Sequence, residues 1–257
     1  MTTALVTGAS TGIGAVYADR LAARGHDLVL VARDTARLDA LAARLAAEHG
    51  VKTQVITADL TDPAQLAGVE DRLRGGSPID LLINNAGATL SGGFDGVDDA
   101  QLEWLIRLNV TAPTLLAHAA IPGMLARGAG AIVNLSSVIG LAPEISTGIY
   151  GATKAYMLTF SHALTAEFGA RGIYVQAVLP AATRTEIWER SGRDVNEIPG
   201  VMEVGDLVDA ALVGFDRREA VTIPPLPEAA SWEAFEAARH AMLPGFRNSL
   251  PAARYRA

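Results

Sequence analysis

The chain of 257 residues contains no cysteine, which excludes both a disulfide framework and a thiolate metal site and leaves the redox compartment open. It has no long run of Lys or Arg, and acidic residues outnumber basic ones 28 to 21 for a formal charge of -7, which argues against binding to a nucleic-acid backbone. The longest stretch free of full charges, 110–126, contains His118, Pro113 and Pro122 and falls short of the roughly 20 apolar residues a membrane helix needs. The N-terminus lacks a basic segment followed by an apolar core, and cleavage there would remove the first strand. No signal peptide, no membrane contact and a cytoplasmic location are therefore expected. His26, His49, His118, His162 and His240 show no ligand spacing, so no metal is expected either. Internal repeats and low-complexity linkers are also missing. What remains is a globular composition, 50% hydrophobic and 19% charged, that fits one large α/β domain over 1–257.

The most informative stretch is Thr7-Gly8-Ala9-Ser10-Thr11-Gly12-Ile13-Gly14, which follows the apolar run Ala4, Leu5, Val6 and opens a helical pattern. A strand that turns sharply into a helix through glycines leaves backbone N–H groups pointing outward at the positive end of the helix dipole, a seat for a phosphate. Gly8 suits the tight turn, Gly12 a close approach to ligand, and Gly14 a close seat of helix on strand. The spacing differs from Gly-x-Gly-x-x-Gly.

Beyond this turn, apolar strands at 28–31, 51–58 and 79–83 alternate with amphipathic helices, the third opened by Asp62-Pro63. A long helical region at 101–125 is interrupted near Asn109, with Pro113 and Pro122 positioned to bend it. A fifth strand at 131–135 ends in Ser136-Ser137, a helix follows over 150–168, and a sixth strand over 174–179. Residues 181–200 lack periodicity and read as a mobile loop over a crevice. A helix at 205–215, a short strand at 221–223, a helix at 232–243 and a tail over 244–257 complete the chain. The pattern predicts a doubly wound parallel sheet of about seven strands, the Rossmann fold, with helices on both faces and a ligand crevice at the strand C-termini.

Along that crevice the second strand ends Val31-Ala32-Arg33-Asp34. An acidic side chain at this point accepts from ribose hydroxyls, whereas an arginine attracts a 2′-phosphate. Ala32 stands at the acidic position and Arg33 follows it, which favours NADP over NAD, with Ser10 as a second phosphate ligand. Asp59-Leu60 after the third strand can meet adenine, and the small Ala86-Gly87 pair after Asn84-Asn85 lets backbone lie against a ribose. Tyr150 and Lys154 lie one helical turn apart on the same face, with Ser137 at a strand end before them. To act as acid or base, the tyrosine pKa must come down from about 10 toward neutrality, which takes about 3 to 4 kcal/mol of favourable electrostatics. A nearby ammonium and an oxidised nicotinamide are both cationic and can supply it.

With these motifs in place the sequence resembles the short-chain dehydrogenase/reductase family over the stretch from the first strand to about Thr185. Thr7 to Gly14 matches the family's Thr-Gly-x3-Gly-x-Gly turn, Asn84 to Gly87 its Asn-Asn-Ala-Gly motif, and Asn109, Ser137, Tyr150 and Lys154 its catalytic tetrad. The resemblance implies that Ser137 hydrogen-bonds the substrate oxygen and that Tyr150 exchanges a proton with it. It further implies that Lys154 binds the nicotinamide ribose and lowers the Tyr150 pKa, and that Asn109 holds a water linking Lys154 to solvent. Cofactor contacts are then expected from Gly8, Ser10, Thr11, Gly12, Ile13, Gly14, Arg33, Asp59, Leu60, Asn85, Ala86, Gly87, Tyr150, Lys154, Pro180, Ala181, Thr183 and Thr185.

Ser136 is not expected to take part, because adjacent strand residues point opposite ways. Pro180-Ala181 stands where the family commonly has Pro-Gly, so the nicotinamide end is expected to sit slightly differently. The Asp-Gly-Gly ending common in the family is missing, and a homodimer or homotetramer through the helices near 111–126 and 150–168 is expected. Val138, Ile139, Leu141, Pro143, Ile187 and Trp188 are candidates for a hydrophobic substrate pocket, and Trp188 equally for anchoring the loop to the body. The reading is an NADP-dependent carbonyl reductase or alcohol dehydrogenase, with a non-catalytic NADP-binding regulator or scaffold as the alternative. An epimerase or dehydratase is a minor third.

Overall fold

Near-continuous burial along short apolar strands is the pattern of a sheet covered on both faces. In the computed structural model, which describes residues 2–145, 148–190, 192 and 194–256, these runs form one parallel sheet. Its strands are β1 (Thr3–Thr7), β2 (Asp27–Ala32), β3 (Thr53–Thr57), β4 (Leu81–Asn84), β5 (Gly130–Leu135), β6 (Ile173–Val178) and β7 (Val221–Thr222). They are ordered β3-β2-β1-β4-β5-β6-β7, so the winding reverses between β1 and β4. Val6, Leu30, Ile83 and Val133 face one buried cluster with α1 (Gly12–Ala23) and α2 (Thr35–His49). Leu5, Val29, Leu82 and Ile132 face the other, with α3 (Pro63–Arg74).

The expected long helix at 101–125 is three pieces. α4 (Asp99–Ile106) opens with a capping box between Asp98 and Gln101, a π turn occupies Arg107–Thr111, and α5 (Ala112–Arg127) continues from it. Pro113 falls in the first turn of α5, where a missing N–H is harmless, and Pro122 lies inside the helix. α6 (Tyr150–Phe168) follows β5, and its position is set by a buried polar relay. Asn84 Nδ2 donates to Asn134 Oδ1 at 2.9 Å, Asn134 Nδ2 to Ser161 Oγ at 2.9 Å, and Ser161 to the Met157 carbonyl at 2.7 Å. The relay ties β4 to β5 and β5 to α6.

The 181–200 stretch is less irregular than expected. It holds the short helix α7 (Ile187–Arg190), a 3-10 turn over Val195–Glu197 and a parallel bridge between Thr183 and Met202. α8 (Val204–Asp216) leads to β7. The chain divides into two compact units, Met1–Pro224 and Pro225–Ala257. The second holds α9 (Ala229–Ala241), with Trp232 stacked on Phe235, and 3-10 turns at Leu243–Arg247 and Ala253–Tyr255.

The seat of α1 on β1 depends on Gly14. A Cβ there would lie 2.3 Å from the Gly8 carbonyl and 2.5 Å from Asn85 Nδ2, both fixed by hydrogen bonds of their own. Gly14→Ala is expected to lower stability by roughly 2–4 kcal/mol in urea unfolding, since overpacking against backbone has no soft escape. A loss under about 1 kcal/mol would show that α1 can lift without penalty.

Candidate active site

A cleft of about 1550 Å³ runs along the C-terminal ends of the strands, across the point where the winding reverses. Its floor begins at the glycine turn. Gly8 and Gly12 both take positive φ, 66° and 55°, and no side chain caps the start of α1. The turn therefore presents backbone donors and the positive helix end to Ser10, Thr11, Gly12 and Ile13, all of which line the cleft. Gly14 does not reach the cleft and acts by packing.

At the β2 end, Arg33 is 62% exposed and has Asp59 at 4.0 Å. Burial alone would raise the Asp59 carboxyl, but the Thr61 N–H and hydroxyl, at 2.9 and 2.7 Å, and the Arg33 charge hold it below the usual carboxylate range. Leu60, Asn85, Ala86 and Gly87 continue the same wall. A free guanidinium face beside a donor-rich, side-chain-free cradle fits a phosphorylated dinucleotide.

The other end holds Ser137, Tyr150 and Lys154. Ser137 follows β5, donates to the Pro180 carbonyl at 3.2 Å and accepts from the Ile139 N–H at 3.2 Å, and it works against the effect of burial on the Tyr150 phenol. Lys154 is 7% exposed; its Nζ donates to the Leu135 carbonyl at 2.9 Å and lies 5.6 Å from the centre of the Tyr150 ring. Enclosure pushes the Tyr150 phenol up to about 12, partly opposed by Ser137, and pulls the Lys154 ammonium down to about 8. Burial, opposed only by Ser137, sets the direction of the Tyr150 shift in the free protein. The phenol stands protonated at neutral pH, the state of a general acid. Ser136 is committed elsewhere, its hydroxyl donating to the Lys154 carbonyl at 2.7 Å.

Asn109 lies buried in the π turn rather than on the cleft wall. Its Oδ1 accepts from the Ala88 N–H at 3.0 Å, and its Nδ2 donates to the Ala88 carbonyl at 2.9 Å and to Thr153 Oγ1 at 3.0 Å. A side chain on Gly87 would stand 3.3 Å from Asn109 Oδ1 and 3.5 Å from Lys154 Nζ, so the glycine keeps open the space between those two groups. Ala181 is not in the left-handed region, where Arg218 is the sole non-glycine among the described residues, so alanine fits the turn after Pro180 unstrained.

Val138, Ile139, Ile187 and Trp188 line the cleft as expected. Leu141 and Pro143 do not, although Ile145, at the end of the 3-10 turn Pro143–Ile145, does. Trp188 does both jobs proposed for it: its indole N–H donates to the Thr183 carbonyl at 2.7 Å while the ring lines the cleft. Sequence reasoning missed Trp104, Leu108, Thr89, Leu90 and Ile198 on the substrate side, and Arg37 and Glu186 at the adenosine side. The position of 89–90 just past a strand end is a signal that was there to use. Outside the cleft, Asp19, Glu48 and His49 come within 4.8 Å of one another, but Arg44 bonds both carboxylates, at 2.8 and 2.7 Å, as an ion-pair network.

The short chain dehydrogenase family profile matches residues 2–196. The chain belongs to that family. It superposes with a TM-score of 0.97 on a short-chain dehydrogenase from Sphingobium yanoikuyae solved in complex with NADPH, 60% identical over 100% of both chains. The bulky-bulky ketone specific alcohol dehydrogenase from Comamonas testosteroni gives a TM-score of 0.92 at 51% identity, covering 99% of this chain and 98% of that one. A very-long-chain 3-oxoacyl-CoA reductase from Anas platyrhynchos is 36% identical over 191 residues, 72% of this chain and 60% of the relative, so the chain spans well under two thirds of that protein.

Lys154 makes stability depend on pH with a definite sign. Its folded value of about 8 lies below the ordinary 10.5, so a buried charge weighs on the fold at neutral pH and the burden lifts as pH rises from about 8 to 10.5. Lys154→Met, which keeps the volume but loses the bond to Leu135, is expected to be more stable by roughly 1–2 kcal/mol at pH 7. The gap should close by pH 10.5 in paired urea titrations. A variant less stable than wild type at pH 7 would show that the ammonium is a net support of the fold.

Proposed function

We propose that the protein is an NADP(H)-dependent oxidoreductase that interconverts a carbonyl and a secondary alcohol with Tyr150 as general acid or base. The observation that carries this reading is that Ser137, Tyr150 and Lys154 meet on one wall of the cleft whose far end holds the glycine turn and Arg33. The glycine-turn backbone with Ser10 and Thr11 would hold the pyrophosphate, and Arg33 with Ser10 the 2′-phosphate. Asp59 and Leu60 would meet the adenine. Asn85, Ala86 and Gly87 with Lys154 would meet the riboses, and Pro180, Ala181, Thr183 and Thr185 the nicotinamide end.

When bound, the nicotinamide supplies or accepts the hydride. Tyr150, protonated at neutral pH, delivers its phenolic proton to the carbonyl oxygen during reduction and takes it back during oxidation. Ser137 turns its hydroxyl from the Pro180 carbonyl to that same oxygen and stabilises the charge developing there. Lys154 stands by as a cation that favours the tyrosinate left behind. Asn109 is a positioning residue, pinning the π turn to Ala88 and to Thr153 of α6.

The favoured substrates are ketones with apolar bulk on both sides of the carbonyl. The volume of the cleft, its lining by Trp104, Leu108, Ile139, Ile187, Trp188 and Ile198, and the name of the Comamonas relative support this. A homodimer or homotetramer through α5 and α6 is supported by Leu115 and Tyr156, each 36% exposed on those helices. The regulator alternative requires binding without turnover.

NADPH and NADH titrated into wild type and Arg33→Ala, read by nicotinamide fluorescence, test the cofactor. The variant is expected to lose about 10-fold or more in NADPH affinity, the loss of a charge-assisted phosphate contact, and to keep its NADH affinity. With NADPH and a bulky apolar ketone, Tyr150→Phe is expected to turn over about 10²- to 10⁴-fold more slowly. Equal turnover by wild type and Tyr150→Phe would sink the acid–base assignment, and binding without any turnover would favour the regulator.

A further inference from the structure

Arg37 and Glu186 join the two rims of the cleft. Arg37 stands in the first turn of α2, directly after β2, while Glu186 follows β6. In the sheet those strands are separated by β1, β4 and β5, four strand spacings or about 19 Å. Yet Arg37 Nη1 donates to Glu186 at 2.8 Å to Oε1 and 3.0 Å to Oε2. The segment carrying Glu186 therefore crosses the mouth of the cleft. Its neighbour Thr185 confirms the path, the methyl standing 3.3 Å from where a Gly12 Cβ would be, directly over the glycine turn. Asp34 holds the arginine from the other side, its carboxylate 3.4 Å from Arg37 Nε and accepting the Arg37 N–H at 3.0 Å.

We propose that the Arg37–Glu186 pair is a clasp across the cofactor cleft that must open for the dinucleotide to enter and to leave. The inference rests on the dinucleotide reading of the cleft given above. A clasp closed in both the free and the loaded protein slows entry and exit together, so removing it changes the exchange rates and leaves affinity nearly unchanged. Both side chains are about half exposed, the setting in which an ion pair is worth at most a few-fold. The clasp is therefore a rate-setting device, not a source of binding strength. It also acts alike on NADPH and NADH, because it spans the cleft and does not depend on the 2′-phosphate.

The test is stopped-flow association of NADPH and NADH and displacement of each by excess oxidised cofactor. It uses the full chain as wild type, Glu186→Gln, Arg37→Gln and the double variant, with melting curves to establish that each folds. Glu186→Gln is expected to raise both association and dissociation rates about two- to fivefold, with the dissociation constant within about twofold of wild type. In the Arg37→Gln background the same change should have no further effect on NADH exchange. Slower release and tighter binding in Glu186→Gln would mean that the carboxylate merely repels the cofactor, and would overturn the clasp. Unchanged rates, or an equal effect with and without Arg37, would overturn it as well. Absence of any fluorescence change with wild type would instead remove the dinucleotide reading on which it rests.

Discussion

The site depends on a knot of hydrogen bonds where β1 and β4 part. The two strands stay in register from Ala4 opposite Leu81 only to Val6 opposite Ile83, and past that point no ladder joins them to each other, though each stays paired to its outer neighbour. Thr7 and Asn85 replace it. The Thr7 hydroxyl donates to the Ile83 carbonyl at 3.1 Å and accepts from the N–H groups of Asn85 and Ala86, both at 3.0 Å. Asn85 Nδ2 returns a bond to the Thr7 carbonyl at 2.8 Å. The parting strands open the crevice, and the knot fixes the glycine turn on one side of it relative to Ala86 and Gly87 on the other. Everything that a dinucleotide needs from the floor is referenced to these two side chains.

The opposite end of the cleft is held under electrostatic tension. Lys154 is buried, and its ammonium donates to a strand carbonyl, that of Leu135. Such an ammonium gives up its proton more readily than a solvated one, while the enclosed phenol beside it holds its proton more firmly. Neither arrangement serves folding. Both would serve the role proposed for Tyr150, a group that donates a proton and is then left as an anion next to a cation. The surrounding apolar clusters and the Asn84–Asn134–Ser161 relay hold α6 rigidly enough for that tension to persist.

Local periodicity carries the fold, and the order of strands follows from the crossovers, so the doubly wound sheet and the reversal at β1 and β4 are legible in the sequence. The glycine turn, Arg33, Ser137, Tyr150 and Lys154 were legible for a similar reason: each sits at a strand end or on one helix face, where topology alone brings it to the crevice. Asn109 was visible as an interruption, although the sequence does not say that the break is a π turn with the side chain turned inward. Leu141 and Pro143 misled because strand-end proximity does not say which residues of the following 3-10 turns, Ile139 and Ile145 here, face the cleft. Arg37 and Glu186 are 149 residues apart, and no local pattern announces their contact. The upward shift of the Tyr150 phenol in the free protein comes from burial, a tertiary quantity that the Tyr-x3-Lys spacing does not announce.

This division explains why the chemistry reads more sharply than the substrate. In the proposed reaction the oxygen would be located by hydroxyls just after β5 and on α6, elements locked by the sheet and by buried polar bonds. The rest of the substrate would meet Leu90, Trp104, Ile187, Trp188 and Ile198, which line the cleft from segments outside the sheet. Apolar walls discriminate by only about 1–3 kcal/mol per methylene, whereas a misplaced hydroxyl at the reacting oxygen forfeits the reaction. Selection can therefore vary the loops freely while the proton donor stays put. Of these wall residues, Trp188 is the exception, since its indole bond to the Thr183 carbonyl makes it a fixed boundary within a variable wall. The orientation of a bulky ketone would then be decided by which of its two groups tolerates that boundary, with the carbonyl already held in place by Ser137 and Tyr150.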